Sequence, residues 1–274
     1  MANPVLSSLH VYPVKAVQGH APDEASVEPW GLAGDRRWML VDHTAKMITQ
    51  RQQARLALVH AALLPDGAVR LSAPGQHPLT VPVPAASART PVQVWRDEVK
   101  AVAADEGAAA WFGAFLGIDV RLVHMPDPEV SRPVDARYAR EGETVSFADG
   151  YPLLLTSLSS LDALNALISR GDHPEEGPLP MNRFRPNLVV ADTPAWAEDG
   201  WTRIAIGEVA FRVAKPCGRC AVTTTDQSTA VRGKEPLRTL ARHRRIDGQL
   251  VFGQNLVPEA TGTLRIGDPL TVLG

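Results

Sequence analysis

Apolar and polar positions alternate in short runs through the first third of this chain, a period that predicts strands rather than helices. Residues 6–11 form one apolar run, ended by Tyr12 and Pro13. Residues 37–42 form another, and residues 46–49 answer it across a polar turn as a hairpin partner. Residues 67–71, 79–83 and 92–95 continue the pattern, split by Pro and Gly. Many short strands punctuated in this way predict a barrel or a sandwich. The period then changes. Ala108, Trp111, Phe112 and Phe115 are spaced for one face of a helix over 103–116. Asp105 and Glu106 stand in its first turn, where the helix dipole favours acids, and Gly117 can end it. Residues 118–124 return to strand.

Residues 125–143 are rich in Pro and charge and have no clear period. They predict a long loop and the junction between two domains, 1–124 and 125–274. The second part reads as a strand over 151–156, then a helix over 157–168 capped by Ser157 or Ser159. A loop over 171–180 and a strand closing the run 184–190 follow. Residues 203–211 and 263–271 share one design: alternation, Gly with an acid, alternation again. They predict two hairpins. Between them, a strand over 221–225 and a helix over 235–243 with Leu237 and Leu240 inward are expected. The expected fold class is therefore mainly β (α+β), a barrel-like assembly with a few helices. Its strands lack the regular helix alternation of a dinucleotide-binding sheet, and neither standard glycine-rich phosphate loop is present.

Composition narrows the function classes. The chain has 274 residues, 45% hydrophobic and 21% charged, which is ordinary for one large or two modest globular domains. A net charge of −2 gives no bulk basic field, so no nucleic acid and no membrane surface is expected as a partner. No apolar run is long enough to span a bilayer, and residues 1–9 lack the features of a secretion signal. The two cysteines, Cys217 and Cys220, could close only a tiny disulfide loop, so a reduced, cytoplasmic setting is expected.

Those two cysteines concentrate the candidate chemistry, in Lys215-Pro216-Cys217-Gly218-Arg219-Cys220. Four readings stand on local grounds: half a zinc site, a redox pair, two small buried hydrophobes, or a single functional thiolate. Zinc would need further Cys or closely spaced His, and the eight His are scattered. Lys215 and Arg219 favour the functional thiolate, since fixed positive charge stabilises S⁻ over SH. Cations also stand at three strand edges beside Pro or Gly: Lys15, Arg36 with Arg37, and Arg183 with Arg185. Singly, each reads as a surface salt bridge. Together they would form a cationic rim suited to a phosphate-bearing cofactor. Asp149, before Gly150 and Tyr151, reads either as a turn former or as a residue gripping a ligand. The tryptophans read as core or barrel-rim residues, and Arg242 to Arg245 as a solvated face.

Taken in order, these segments resemble the MOSC family, named for the molybdenum cofactor sulfurase C-terminal domain. The resemblance is carried by Tyr12-Pro13-Val14-Lys15, Asp35-Arg36, Phe184-Arg185-Pro186-Asn187, Cys217 to Cys220 followed by threonines, and Phe252-Gly253-Gln254. It is nearest to the branch with an N-terminal MOSC β-barrel, which includes amidoxime-reducing components. It implies a MOSC N-terminal β-barrel-like domain and a MOSC β-barrel domain around one molybdenum cofactor (molybdopterin with Mo). Cys220, not Cys217, falls on the metal ligand. Lys15, Arg36, Arg185, Asn187, Gly218 and Arg219 fall on positions that hold the pterin and its phosphate, and Asp149, Gly150 and Tyr151 on the loop along the cofactor. Ala16 stands at a further cofactor position where relatives often carry Ser, so a hydroxyl contact is lost there. The implied activity is reduction of small N-hydroxylated compounds. The electrons would come from a separate ferredoxin- or flavin-type donor, since the sequence offers no cysteine set for an iron–sulfur centre. Two other functions fit the same resemblance: sulfur transfer through a Cys220 persulfide, and non-catalytic carriage of the cofactor.

Overall fold

A computed structural model describes residues 3–85 and 88–274. The fold is mainly β with three α-helices among the described residues, as the sequence pattern predicts. Its largest sheet has eight strands. Seven run in the order Val5–Leu9, Leu188–Ala191, Leu153–Ser157, Gln249–Pro258, Val209–Gly218, Arg203–Ile206 and Leu270–Val272, and Arg245–Ile246 pairs with Gln249–Pro258 off that path. Among these strands the parallel contact is Leu153–Ser157 against Leu188–Ala191, joined by a crossover that contains helix α2 (Leu158–Ile168). The two ends of the sheet meet. Leu6 donates to the Asp268 carbonyl at 2.9 Å, and Gly267 donates to the Leu6 carbonyl at 2.8 Å. This nearly closes a barrel, filled by Leu6, Leu9, Leu153, Leu155, Leu188, Val190, Phe211 and Leu256. Closure satisfies edge groups that would otherwise stand open.

The first half contributes two smaller sheets. Trp38–Val41, Arg121–His124, Asp97–Ala103 and Arg89–Val94 form one; His60–Leu63, Val69–Ser72 and Leu79–Val81 form the other. Helix α1 (Glu106–Leu116) packs beside them through Ala108, Trp111, Phe112 and Phe115, the face its spacing predicts. Asp105 caps it by accepting from the Ala108 amide at 2.9 Å, and Gly117 ends it at φ 73°. The helix begins at Glu106, not 103, because Ala103 completes a strand whose alternation places Val99 and Ala101 inward.

Three local expectations change. Ser157 stands at the start of α2, but its hydroxyl bonds Thr193 Oγ1 at 2.8 Å and Ser159 Oγ at 2.7 Å instead of a helix amide. Residues 263–271 do not form a hairpin. Gly262–Arg265 pairs with Glu24–Glu28, whereas Leu270–Val272 pairs with Arg203–Ile206. The backbone at Gly267 and Asp268 is taken by Leu6, so the two arms diverge into different sheets. Residues 221–225 are not a strand but a 3-10 turn, Ala221–Thr224. There Thr223 and Thr224 hydroxyls bond back to the carbonyls of Cys220 and Ala221, both at 2.8 Å.

We propose the stretch 125–143 as the domain junction in sequence. In space, strands from the first 32 residues complete structures of the second half: Val5–Leu9 in the barrel, and Glu24–Glu28 with Gly31–Leu32 beside Gly262–Arg265.

Candidate functional site

All eleven residues singled out by the resemblance line one cleft of about 860 Å³ open to solvent. They arrive from separate elements. Lys15 and Ala16 follow strand Val5–Leu9, and Arg36 precedes Trp38–Val41. Asp149, Gly150 and Tyr151 precede Leu153–Ser157, and Arg185 and Asn187 precede Leu188–Ala191. Gly218, Arg219 and Cys220 lie where Val209–Gly218 ends. Three of these residues hold left-handed backbone although none is glycine: Ala16 at φ 65°, Arg36 at 48° and Arg185 at 55°. Such conformations persist only where neighbours over-determine them.

The neighbours can be named. Asn187 is buried, and its side-chain oxygen accepts from Arg36 Nη1 at 2.9 Å and from the Leu154 amide at 3.2 Å. Its side-chain nitrogen donates to the His10 carbonyl at 3.1 Å. Arg36 also donates to the Asp35 carboxylate at 2.5 Å, and Asp35 accepts from the Tyr12 amide at 2.8 Å. Two guanidiniums, Arg36 and Arg185, lie over the Tyr12 ring, each 4.4 Å from its centroid. Arg185 donates to the Val17 carbonyl at 2.8 Å and forms no ion pair among the described residues. Burial first, then the charge of Arg36, outweighs nearby Tyr12 and Asp35 and lowers its pKa to about 10.

Lys15 is buried and donates to the Phe147 carbonyl at 2.7 Å and to Asp149 at 2.6 Å. Burial pulls its pKa down against the pull of Asp149. Enclosure alone would raise the Asp149 carboxyl; Lys15, Arg51 and Arg36 override it and hold the group below the usual carboxylate range. The Asp149 side chain is nonetheless 74% exposed, so solvent screens this pair and it contributes little to stability. Arg132 fixes the segment from behind, donating to the carbonyls of Ala148 at 2.5 Å and Asp149 at 2.8 Å. Tyr151 meets Tyr138 edge-on at 6.2 Å, and Lys215 lies over Tyr138, away from the residues that line the cleft. Gly150 has open space where a side chain would stand, so its place in the cleft is one of backbone exposure.

The two cysteines are free and part-buried, and each meets its own arginine. Arg219 Nη1 donates to Cys217 Sγ at 2.9 Å, while its Nη2 donates to the Phe184 carbonyl at 2.7 Å. Arg51 Nη2 donates to Cys220 Sγ at 3.0 Å. Arg51 is absent from the sequence-based expectations. It sits in the polar run 50–53, which has no period to mark it, and only folding brings it 169 positions along the chain to Cys220. Thr49, Thr223 and Asn255 also line the cleft without having been expected. Trp95, expected at a barrel rim, faces both Arg51 at 4.4 Å and Lys15 at 5.7 Å. Phe252-Gly253-Gln254 supports the site from below. Phe252 stacks on the cleft residue Phe184 at 4.0 Å, and any side chain at Gly253 would come within 2.5 Å of the Leu155 carbonyl.

The lining suits an anionic ligand. Five cations, Lys15, Arg36, Arg51, Arg185 and Arg219, face one carboxylate, Asp149. Arg219 Nε is buried with no hydrogen-bond partner. A buried donor of that kind costs about 1–3 kcal/mol unless something accepts from it. Sulfur adds a soft donor that favours metals of thiolate preference. A zinc site at the cysteines finds no support. The one group of metal-capable side chains among the described residues is His173, Glu175 and Glu176, which contains neither cysteine.

Comparison with known proteins finds family models over both halves of the chain. The MOSC N-terminal beta barrel domain matches residues 3–119 and the MOSC domain matches residues 142–271. The mitochondrial amidoxime-reducing component 1 of Mus musculus is 33% identical over 98% of this chain and 82% of its own length. That of Homo sapiens is 33% identical over 98% of this chain and 83% of its own. A molybdenum cofactor sulfurase of Danio rerio is 30% identical over 93% of this chain, which spans 32% of that longer protein.

Proposed function

This chain belongs to the MOSC family, and from that premise we propose that it is a molybdenum-cofactor-dependent reductase of small N-hydroxylated compounds. The observation that supports the reading best is the convergence of all eleven expected residues on one cationic cleft with a cysteine sulfur in its wall. The donor set fits the cofactor: an always-charged guanidinium binds phosphate bidentately, and thiolate is a strong electron donor that suits a high-valent metal. Cys220 would ligate the metal. Arg36, Arg185 and Arg219 would hold the anionic part, with the orphaned Arg219 Nε supplied with an acceptor. Lys15 and the backbone of Asp149 to Tyr151 would lie along the ring system.

When bound, the cofactor supplies the two-electron redox centre at which an N–O bond is reduced. The rest falls to the chain. Asp149, held ionised and open to the cleft, offers an acceptor for a substrate N–H or O–H. Lys15 fixes that carboxylate in place. Tyr151, met edge-on by Tyr138, adds an aromatic surface to the cleft. Two electrons and two protons are consumed per N–OH reduced, with water released. A separate ferredoxin- or flavin-type donor would deliver the electrons. No helix among the described residues is long and apolar enough to cross a membrane.

Replacing Cys220 with Ala should abolish benzamidoxime reduction by protein purified from a cofactor-competent host and supplied with a chemical reductant. Cys217→Ala should keep both metal and activity. Wild-type turnover by the Cys220→Ala protein would overturn the assignment. Likeness to the Danio rerio sulfurase supports a second reading, sulfur transfer. Cyanide-releasable sulfur on metal-free protein, lost in Cys220→Ala, would favour it. Tight cofactor binding without turnover would favour carriage instead.

A further inference from the structure

Arg51 is held with unusual thoroughness for an arginine that forms no ion pair among the described residues. Its guanidinium stacks 4.4 Å from the Trp95 ring centroid, and among the described residues its one side-chain hydrogen bond goes to Cys220 Sγ at 3.0 Å. The backbone beneath it is tied from the other half of the chain. Gln50 is buried and exchanges amide hydrogen bonds with Gln227 at 3.0 and 3.1 Å. Gln50 also donates to the Ala16 carbonyl at 2.9 Å. Arg232 donates to the carbonyls of both Gln50 and Arg51, the latter at 2.8 Å. Ordering a free arginine side chain costs rotamer freedom. Here that ordering aims one N–H at sulfur.

We propose that Arg51 is a positioning residue for Cys220: it fixes the direction of the sulfur and withdraws charge from it through the N–H···S bond when the sulfur ligates metal. This rests on the cofactor reading above. Donors to a ligating sulfur weaken its electron donation and make the metal easier to reduce, and such outer partners matter nearly as much as the ligands. A phosphate-binding role for Arg51 would instead leave the sulfur's electronic character untouched.

The test uses holoprotein of wild type, Arg51→Met, Arg51→Lys, Trp95→Leu and Cys220→Ala. Three quantities are read: bound molybdenum, the sulfur-to-metal charge-transfer band, and the metal midpoint potential from a redox titration followed by paramagnetic resonance. Arg51→Met should hold molybdenum about 10- to 100-fold less tightly. Its band should move to longer wavelength and its potential should fall. Arg51→Lys should recover part of both shifts, and Trp95→Leu should give smaller shifts in the same direction. A wild-type band and potential in Arg51→Met, at any metal content, overturns the proposal. Should that variant not fold, an unshifted band in both Arg51→Lys and Trp95→Leu overturns it equally. The Cys220→Ala protein separates the two levels. Wild-type protein without bound molybdenum sinks the cofactor reading itself, a wild-type band in Cys220→Ala sinks Cys220 as the metal ligand, and a band lost there but unmoved in Arg51→Met sinks only the role of Arg51.

Discussion

Asn187 spends every polar atom of its side chain inside the protein, on Arg36, Leu154 and His10. Leucine has nearly its shape but none of its hydrogen bonds. Asn187→Leu would strand the Leu154 amide and the His10 carbonyl in a buried setting and free Arg36 to turn. Two or more unpaired buried groups put the cost at about 3 kcal/mol. Urea unfolding of wild type and variant measures it. A loss below ~1 kcal/mol would mean that other partners replace the amide. The sequence marks Asn187 only through its family motif. Nothing local distinguishes an asparagine that braces an arginine from one that touches a ligand. Arg51 was harder still to foresee. Its neighbours are polar on both sides, and the partner that gives it meaning lies at the far end of the chain.

Among the elements, the period of 3.6 in α1 and the alternation in Arg203–Ile206 and Val209–Gly218 survive into the structure because each buries the face it advertises. Residues 221–225 do not, because valine and threonine favour strands only when a neighbouring strand accepts them; here the hydroxyls take local carbonyls first. Glu24–Glu28 went unread for the opposite reason. It buries a single valine, too little pattern to see. Strand Arg121–His124 carries a consequence of its own. His124 is buried against Trp38 at 4.6 Å, and burial first, then the charge of Arg37, lowers its pKa to about 4 from 6.5. As pH falls below 6.5 the unfolded chain takes up this proton, and the folded chain does not until about pH 4. Stability should therefore fall across that window by about 3 kcal/mol. His124→Phe keeps the aromatic contact and removes the proton site. Thermal midpoints at pH 7 and pH 4.5 should drop less in the variant. Equal drops would assign the acid sensitivity to another group.

At the scale of the whole molecule, sequence halves and spatial halves differ. The barrel core mixes Leu6, Leu9, Val27 and Leu32 with Leu188, Phe211 and Leu256. A piece spanning 125–274 would lack its edge strand Val5–Leu9 and expose the flank of Leu188–Ala191. Produced alone, it should show no cooperative melt. Produced with a separate 1–124 piece, it should co-purify as a complex that melts cooperatively. A sharp transition for 125–274 alone would show that the borrowed strands are dispensable.

The meeting of Val5–Leu9 with Leu188–Ala191 also sets a schedule. At about 5–20 residues per second, a ribosome needs roughly 10–35 s to make the second strand after the first has emerged. The contacts that close the barrel at Gly267 and Asp268 come later still. Throughout that interval the first strand has no partner, and contacts so distant along a chain form slowly. The cleft walls come from both ends of this late closure. The cleft should therefore take its ligand only after residues 267 and 268 have been made.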